Sequence, residues 1–154
     1  ARMVTSVDSS APALALAQRH VQINGFDAQR HQTVDADVNS HLRACLEQGL
    51  RFDAIVRDPP KFAPTPAQAG RAARAYKDIN LLGFRLLNPG GLLMTYSCSG
   101  GIGLDLFQKI VAGAAADAGA DARILRRLGA AADHPVALAF PEGEYLKGLL
   151  CQAV

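Results

Sequence analysis

Two short segments combine reactive side chains with backbone that holds them still. The first is Ser97-Cys98-Ser99-Gly100-Gly101, which closes the apolar run beginning at Leu92. A thiol at the end of a strand, beside a glycine turn, has room for a substrate, and cysteine is the side chain best suited to attack an electron-poor carbon near neutral pH. The second is Asp58-Pro59-Pro60-Lys61-Phe62, which follows the apolar run Phe52–Val56. Successive prolines fix the local backbone and forbid a helix at the aspartate itself, so the carboxylate is aimed rather than loose. Such a segment suits hydrogen bonding to the donor edge of a nucleobase, with Phe62 available for stacking. Read without chemistry, it is a rigid turn with an aspartate on its corner. Free cysteines are commonly inert core residues, and this is the reading for Cys45 and Cys151, which lie on a helical and a strand pattern. Strand-end position and flanking Ser/Gly set Cys98 apart.

Other polar residues have weaker claims. Asp8, just past the early β-rich run Met3–Val7, can accept hydrogen bonds from both hydroxyls of a ribose, or can help cap the next helix. Asp37, after the next strand, can accept from an adenine amino group or stand as a solvated loop carboxylate. His134, in Asp133-His134-Pro135, can act as a base or close a substrate loop, although a lone loop histidine is usually structural; His20, His31 and His41 have no supporting context. Lys61, Arg71, Arg74 and Lys77 border the Asp-Pro-Pro segment and can contact phosphates, while Arg123, Arg126 and Arg127 sit on a late strand.

These residues need strands to present them. After Asp8, Ala13, Leu14, Leu16, Ala17 and Val21 recur at helical spacing, with Ser10 as N-cap, Pro12 in the first turn and Gly25 as C-terminal cap. A weak strand near Gln32–Val34 precedes a helix near Val38–Gln48. Phe52–Val56 is apolar enough for a strand buried on both faces. Thr65-Pro66-Ala67-Gln68 signals a helix start, with Thr65 capping and Pro66 first, and the helix runs to about Leu87. Asn88-Pro89-Gly90-Gly91 breaks it, and Leu92–Ser97 is another buried strand. Leu104–Ala118 places Leu106, Phe107, Ile110, Val111 and Ala114 on one helical face. A strand near Arg123–Leu128 follows, then a pair of strands divided by Pro141-Glu142-Gly143. Strands alternating with helices predict an α/β fold with right-handed crossovers and a mainly parallel sheet covered on both faces. Ligands of such sheets sit at the carboxyl ends of the strands, where Asp8, Asp58 and Cys98 fall.

Composition narrows the classes. With 49% hydrophobic and 19% charged residues in 154, the chain reads as one folded domain that needs no staple. Three widely spaced cysteines argue against a disulfide framework or a metal site and for a reducing cytoplasm. There is no membrane-length apolar run and no signal peptide. A net charge of +2 makes no field for nucleic acid, so any such role rests on local residues.

In order along the chain, Val7-Asp8, Asp58-Pro59-Pro60-Lys61-Phe62, Tyr76-Lys77-Asp78-Ile79-Asn80, Ser97-Cys98-Ser99, Ala132-Asp133-His134-Pro135 and Glu142-Gly143-Glu144-Tyr145-Leu146-Lys147-Gly148 give it a family resemblance. It resembles the catalytic domain of bacterial ribosomal RNA cytosine-C5 methyltransferases that carry an N-terminal PUA domain. The resemblance implies a Rossmann-like class I methyltransferase fold with an antiparallel C-terminal strand, the cofactor S-adenosylmethionine and a ribosomal RNA substrate of the large subunit. It implies Asp8 on the ribose, Asp37 near the adenine, Asp58 and Pro59 at the junction of cofactor and base, and Pro60, Lys61, Phe62 and His134 on the substrate side. Cys98 matches the nucleophile, adding to carbon-6 of a cytosine so that carbon-5 can take the methyl group; the base must be unstacked or flipped.

Such domains normally begin with a further strand and a glycine-rich loop around the cofactor's methionine end, and the first residues here already match the second strand. The chain therefore reads as a fragment that alone binds cofactor weakly or not at all. Two alternatives stay open. One is methylation of an exocyclic base nitrogen, with Cys98 a bystander. The other is a non-catalytic module whose incomplete sheet drives self-association.

Overall fold

The computed structural model describes residues 1–63 and 65–154, with Pro66 described in its backbone alone. The chain divides into two units, Ala1–Gln48 and Gly49–Val154.

In the first unit, β1 (Val4–Asp8) and β2 (His31–Asp35) pair in parallel, from Val4 opposite His31 to Asp8 opposite Asp35. The crossover between them is α1 (Ala11–Ile23). Ser10 caps it by accepting from the Ala13 N–H at 3.4 Å, and the chain leaves it through Asn24 and Gly25. Gly25 has φ +68°, a left-handed conformation that a residue lacking Cβ adopts without strain. After β2 comes α2 (Val38–Glu47), which buries Leu42 and Cys45.

The second unit holds β3 (Phe52–Arg57), α3 (Ala69–Arg85), β4 (Leu87–Ser97), α4 (Leu104–Ala118), β5 (Ala122–Leu128) and β6 (Lys147–Ala153). Its sheet has the order β3-β4-β6-β5. β3 and β4 are parallel and β6 is antiparallel to both β4 and β5, so three strands share one direction and the last strand opposes them. Along β4, Leu93, Thr95 and Ser97 are buried while Leu92 and Met94 on the alternate face are only half-buried. The buried face packs beneath α3 and α4 in one core that includes Tyr76, Ile79, Phe84, Leu93, Phe107, Val111 and Leu149. Each large apolar side chain so removed from water contributes about 1.5–3 kcal/mol before the entropy of ordering it is counted. Small residues let the layers approach: a Cβ on Gly83 of α3 would lie 3.1 Å from the Leu93 side chain.

Several boundaries differ from the sequence reading. β3 is an edge strand, not one buried on both faces, and its Val56 is 65% exposed. Asn88-Pro89-Gly90-Gly91 does not separate helix from strand; it lies inside β4, where Leu87 already pairs with Phe52 across an irregular register. The turn tightens around Gly91, whose Cβ would meet the Asn88 carbonyl at 2.8 Å and the Asp53 carbonyl at 3.3 Å. Residues Pro66–Gln68 form a 3₁₀ turn, so α3 begins at Ala69, with Gln68 in the cap position and no side-chain cap bond. Thr65 instead spends its hydroxyl and N–H on the Gln68 side chain, each at 3.4 Å. Leu106 is 38% exposed and is not part of the core face of α4. The first of the two final strands is absent among the described residues: Pro135–Phe140 runs irregularly, and a 3₁₀ turn at Pro141–Gly143 precedes β6.

Candidate active site

Parallel pairing of β3 with β4 sets the site. Arg57, the last residue of β3, registers with Thr95, so Asp58 and Cys98 both leave the carboxyl ends of adjacent, co-directional strands. The two segments touch: Cys98 Sγ lies 3.9 Å from the Pro59 carbonyl oxygen, within range of a weak S–H donor. Cys98 is half-buried, unlike Cys45 and Cys151, which are 4% and 2% exposed. Burial pushes the Cys151 thiol up to about 11 and raises that of Cys45 as well, which makes both poor nucleophiles, as their patterns predict. Asp58, Pro60 and Lys61 are exposed and Pro59 is half-buried.

The turn after Cys98 is fastened from three sides. Ser97 and Ser99, which flank the cysteine, point to the opposite face and are fully buried. Ser97 Oγ donates to the Tyr76 hydroxyl at 2.9 Å, and the Tyr76 hydroxyl shares a 2.9 Å hydrogen bond with Ser99 Oγ. Ser99 Oγ also accepts from the Ala63 N–H at 3.0 Å, and the Ala63 carbonyl accepts from the Gly101 N–H at 3.3 Å. The Asp58–Ala63 segment is thereby bolted directly to the cysteine turn, which α3 holds separately through Tyr76. From β6, Lys147 Nζ donates to the Ser99 carbonyl at 2.7 Å and the Ile102 carbonyl at 2.6 Å. Phe62 packs edge-on against Tyr76, with ring centroids 4.9 Å apart, and so supports the core in addition to bordering the site.

Asp8 and Asp37 belong to the first unit. Asp8 ends β1, is exposed, and accepts from the Ser10 N–H at 2.8 Å. Asp37 is the N-cap of α2, its Oδ1 accepting from the N–H and hydroxyl of Ser40 at 2.8 and 2.7 Å. The backbone bond from Ser40 and then the hydroxyl hold its carboxyl below the usual carboxylate range. Both are therefore oriented oxygens at strand ends, the donor-accepting chemistry that ribose hydroxyls and an adenine amino group require. His134 lies in the exposed stretch between β5 and β6, its Nδ1 3.0 Å from Asp133 Oδ1, and among the described residues no hydrogen bond joins it to Cys98. Lys77 leaves the predicted basic group, since its ammonium pairs with Asp117 of α4 at 2.7 Å. Arg71, Arg74 and the β5 arginines are exposed. Among the described residues no cluster of three or more His, Cys, Asp or Glu could hold a metal ion, and no helix is long and apolar enough to cross a membrane.

The sequence motifs contain the fastening residues but do not reveal their role. Tyr76 and Ser99 look like ordinary core and turn positions, and Lys147 like a strand-start lysine; the signal available was the coincidence of serines on both sides of one cysteine.

No family model matches the chain. The chain is 53% identical over 152 residues to ribosomal RNA large subunit methyltransferase I of Alteromonas mediterranea and 54% identical over 153 residues to the protein of the same name in Aeromonas salmonicida. Each alignment takes in 99% of this chain but only 38% and 39% of the relatives, so the chain spans well under half their length. Among solved structures it resembles SMU.776, described as a methyltransferase and solved in complex with SAH, with a TM-score of 0.82 at 23% identity over 99% of this chain and 39% of that one. A methyltransferase homologue from Pyrococcus horikoshii matches with a TM-score of 0.66 at 15% identity, over 99% of this chain and 53% of that one. The fold is the Rossmann-like class I methyltransferase α/β fold, and in the sheet of Gly49–Val154 the strand β6 runs antiparallel to its neighbours β4 and β5.

Proposed function

We propose that this chain forms part of an S-adenosylmethionine-dependent methyltransferase acting on ribosomal RNA of the large subunit, and that the reaction is methylation of carbon-5 of a cytosine. The observation that carries the chemistry is the approach of Cys98 Sγ to the Pro59 carbonyl at the shared end of β3 and β4. A half-buried thiol and an exposed, backbone-fixed carboxylate segment at one sheet end suit addition to a base better than they suit direct transfer to an amine. The names of the curated relatives support the RNA substrate class.

In this reading Asp58 holds the Watson–Crick edge of an extruded cytosine, with Pro60, Lys61, Phe62 and His134 on the substrate side. The Cys98 thiolate adds to carbon-6, and the electron pair displaced towards carbon-5 makes that carbon the nucleophile. When bound, S-adenosylmethionine supplies a methyl group on a sulfonium, with Asp8, Asp37, Asp58 and Pro59 as the residues that hold it. Loss of the carbon-5 proton to solvent then lets the sulfur–carbon bond break, its electron pair leaving with the sulfur, which returns the thiolate and leaves a methylated aromatic base. The rigid turn around Cys98 matters because addition and expulsion both need the sulfur on one line to carbon-6.

The test uses the protein at the full length of its relatives. Cys98→Ala abolishes methylation, and wild-type protein forms a covalent adduct with RNA carrying 5-fluorocytosine. Retained activity in Cys98→Ala, with methyl label on an exocyclic nitrogen, would overturn the carbon-5 reading while leaving the methyltransferase reading intact.

A further inference from the structure

Lys147 is the first residue of β6 and registers with Ser97, so it enters the sheet beside the residue that precedes Cys98. Its ammonium spends two protons on the carbonyls of Ser99 and Ile102 at 2.7 and 2.6 Å. Those carbonyls bound the turn that follows the cysteine, which the Ile102 N–H closes onto the same Ser99 oxygen at 3.1 Å. Long lysine side chains ordinarily keep their rotamer freedom and their water, and fixing one costs up to about 2 kcal/mol of entropy. Here the head group is drawn in and fixed. No carboxylate among the described residues pairs with it, so its charge is not cancelled locally. The ionisable groups that act on it are Cys98 and Lys61: burial lowers its pKa first, the cysteine opposes that, and Lys61 adds to it.

We propose that Lys147 is a positioning residue for Cys98: it clamps the turn behind the nucleophile through two carbonyls and places an uncancelled positive charge beside the sulfur. The proposal rests on the reading of Cys98 as nucleophile and deepens it. A merely structural lysine would explain the two carbonyl bonds; a lysine that also serves the chemistry must make itself felt at the sulfur. A cation there favours the approach of anions.

The charge is read without RNA or cofactor, by comparing alkylation of Cys98 with anionic iodoacetate and neutral iodoacetamide and quantifying the Cys98 peptide by mass spectrometry. Cys45 and Cys151 are buried and serve as internal controls. In the wild-type chain the iodoacetate-to-iodoacetamide rate ratio at Cys98 exceeds that of an unstructured peptide of the same local sequence. In Lys147→Gln, which keeps a donor but loses the charge, the ratio falls by about threefold or more. Lys147→Arg restores it, and Lys61→Gln lowers it less than Lys147→Gln does. A Lys147→Gln ratio equal to wild type, or a drop explained by Lys61 alone, overturns the proposal. Should Lys147→Gln fail to fold by circular dichroism, the wild-type comparison decides, because a ratio no higher than that of the peptide sinks it. Failure of the cytosine reading appears elsewhere, as absence of the 5-fluorocytosine adduct, and leaves this ratio unchanged.

Discussion

Tyr76 has no exposed surface, yet its hydroxyl sits between Ser97 and Ser99, the two residues that flank the half-buried thiol. Its ring is held edge-on by Phe62 on one side and by Phe107, at 5.6 Å between centroids, on the other. Tyr76→Phe keeps both ring contacts and the volume and removes only the oxygen, which leaves the Ser97 hydroxyl proton without its acceptor in a buried place. An unsatisfied buried group of this kind costs about 1–3 kcal/mol. The urea midpoint of Tyr76→Phe, followed by circular dichroism, falls accordingly with the slope unchanged. An unaltered midpoint would mean that the serines find other partners and that the network does not brace the cysteine turn. The placement of Cys98 and Asp58 at adjacent strand ends was legible in the sequence because apolar runs that stop at a serine-flanked cysteine or at paired prolines are local signals. The roles of Tyr76 and Lys147 were not, since what they do depends on partners brought together by the sheet: Tyr76 reaches Ser97 and Ser99, and Lys147 reaches carbonyls from β6.

At the scale of elements, α4 came out at its predicted bounds because its small and large apolar residues recur at helical spacing and a left-handed Gly119 ends it. α3 did not, because Thr65 and Gln68 satisfied each other in a tighter 3₁₀ turn, leaving the helix to begin one turn later. β3 misled for another reason: an apolar run states what a strand can bury, while its place at the sheet edge decides what it does bury. α2 offers a test of a cap. Hydrogen bonds from Ser40 hold the Asp37 carboxyl below its usual range, so the ionised cap is present at neutral pH and is lost as the pH falls through that depressed value. Asp37→Ala is therefore less stable than wild type at neutral pH, and the two converge in strong acid. Thermal melts of both across the acid range check this, and a gap that widens on acidification would contradict the assigned cap.

For the molecule as a whole, what matters is how the proposed cofactor residues are distributed. Asp8 and Asp37 lie in Ala1–Gln48, whereas Asp58 and Pro59 lie in Gly49–Val154. Carboxylates can accept from ribose and adenine, but the methionine end of the cofactor needs backbone N–H groups at a glycine-rich turn. Among the described residues of Ala1–Gln48, β1 runs into Asp8-Ser9-Ser10, with Ser10 capping α1, and β2 into Asp35-Ala36-Asp37, with Asp37 capping α2, so neither strand is followed by such a turn. The relatives extend over more than twice this length. Calorimetric titration of the 154-residue chain with S-adenosylhomocysteine is therefore expected to show no saturable heat in the micromolar range, while protein at the length of the relatives binds. In that longer protein, Asp8→Ala weakens binding by about tenfold, the loss of one or two ribose hydrogen bonds to a charged acceptor. Micromolar affinity in the 154-residue chain would show that the residues present suffice, and unchanged affinity in Asp8→Ala would leave the aspartate with its hydrogen bond to the Ser10 N–H alone.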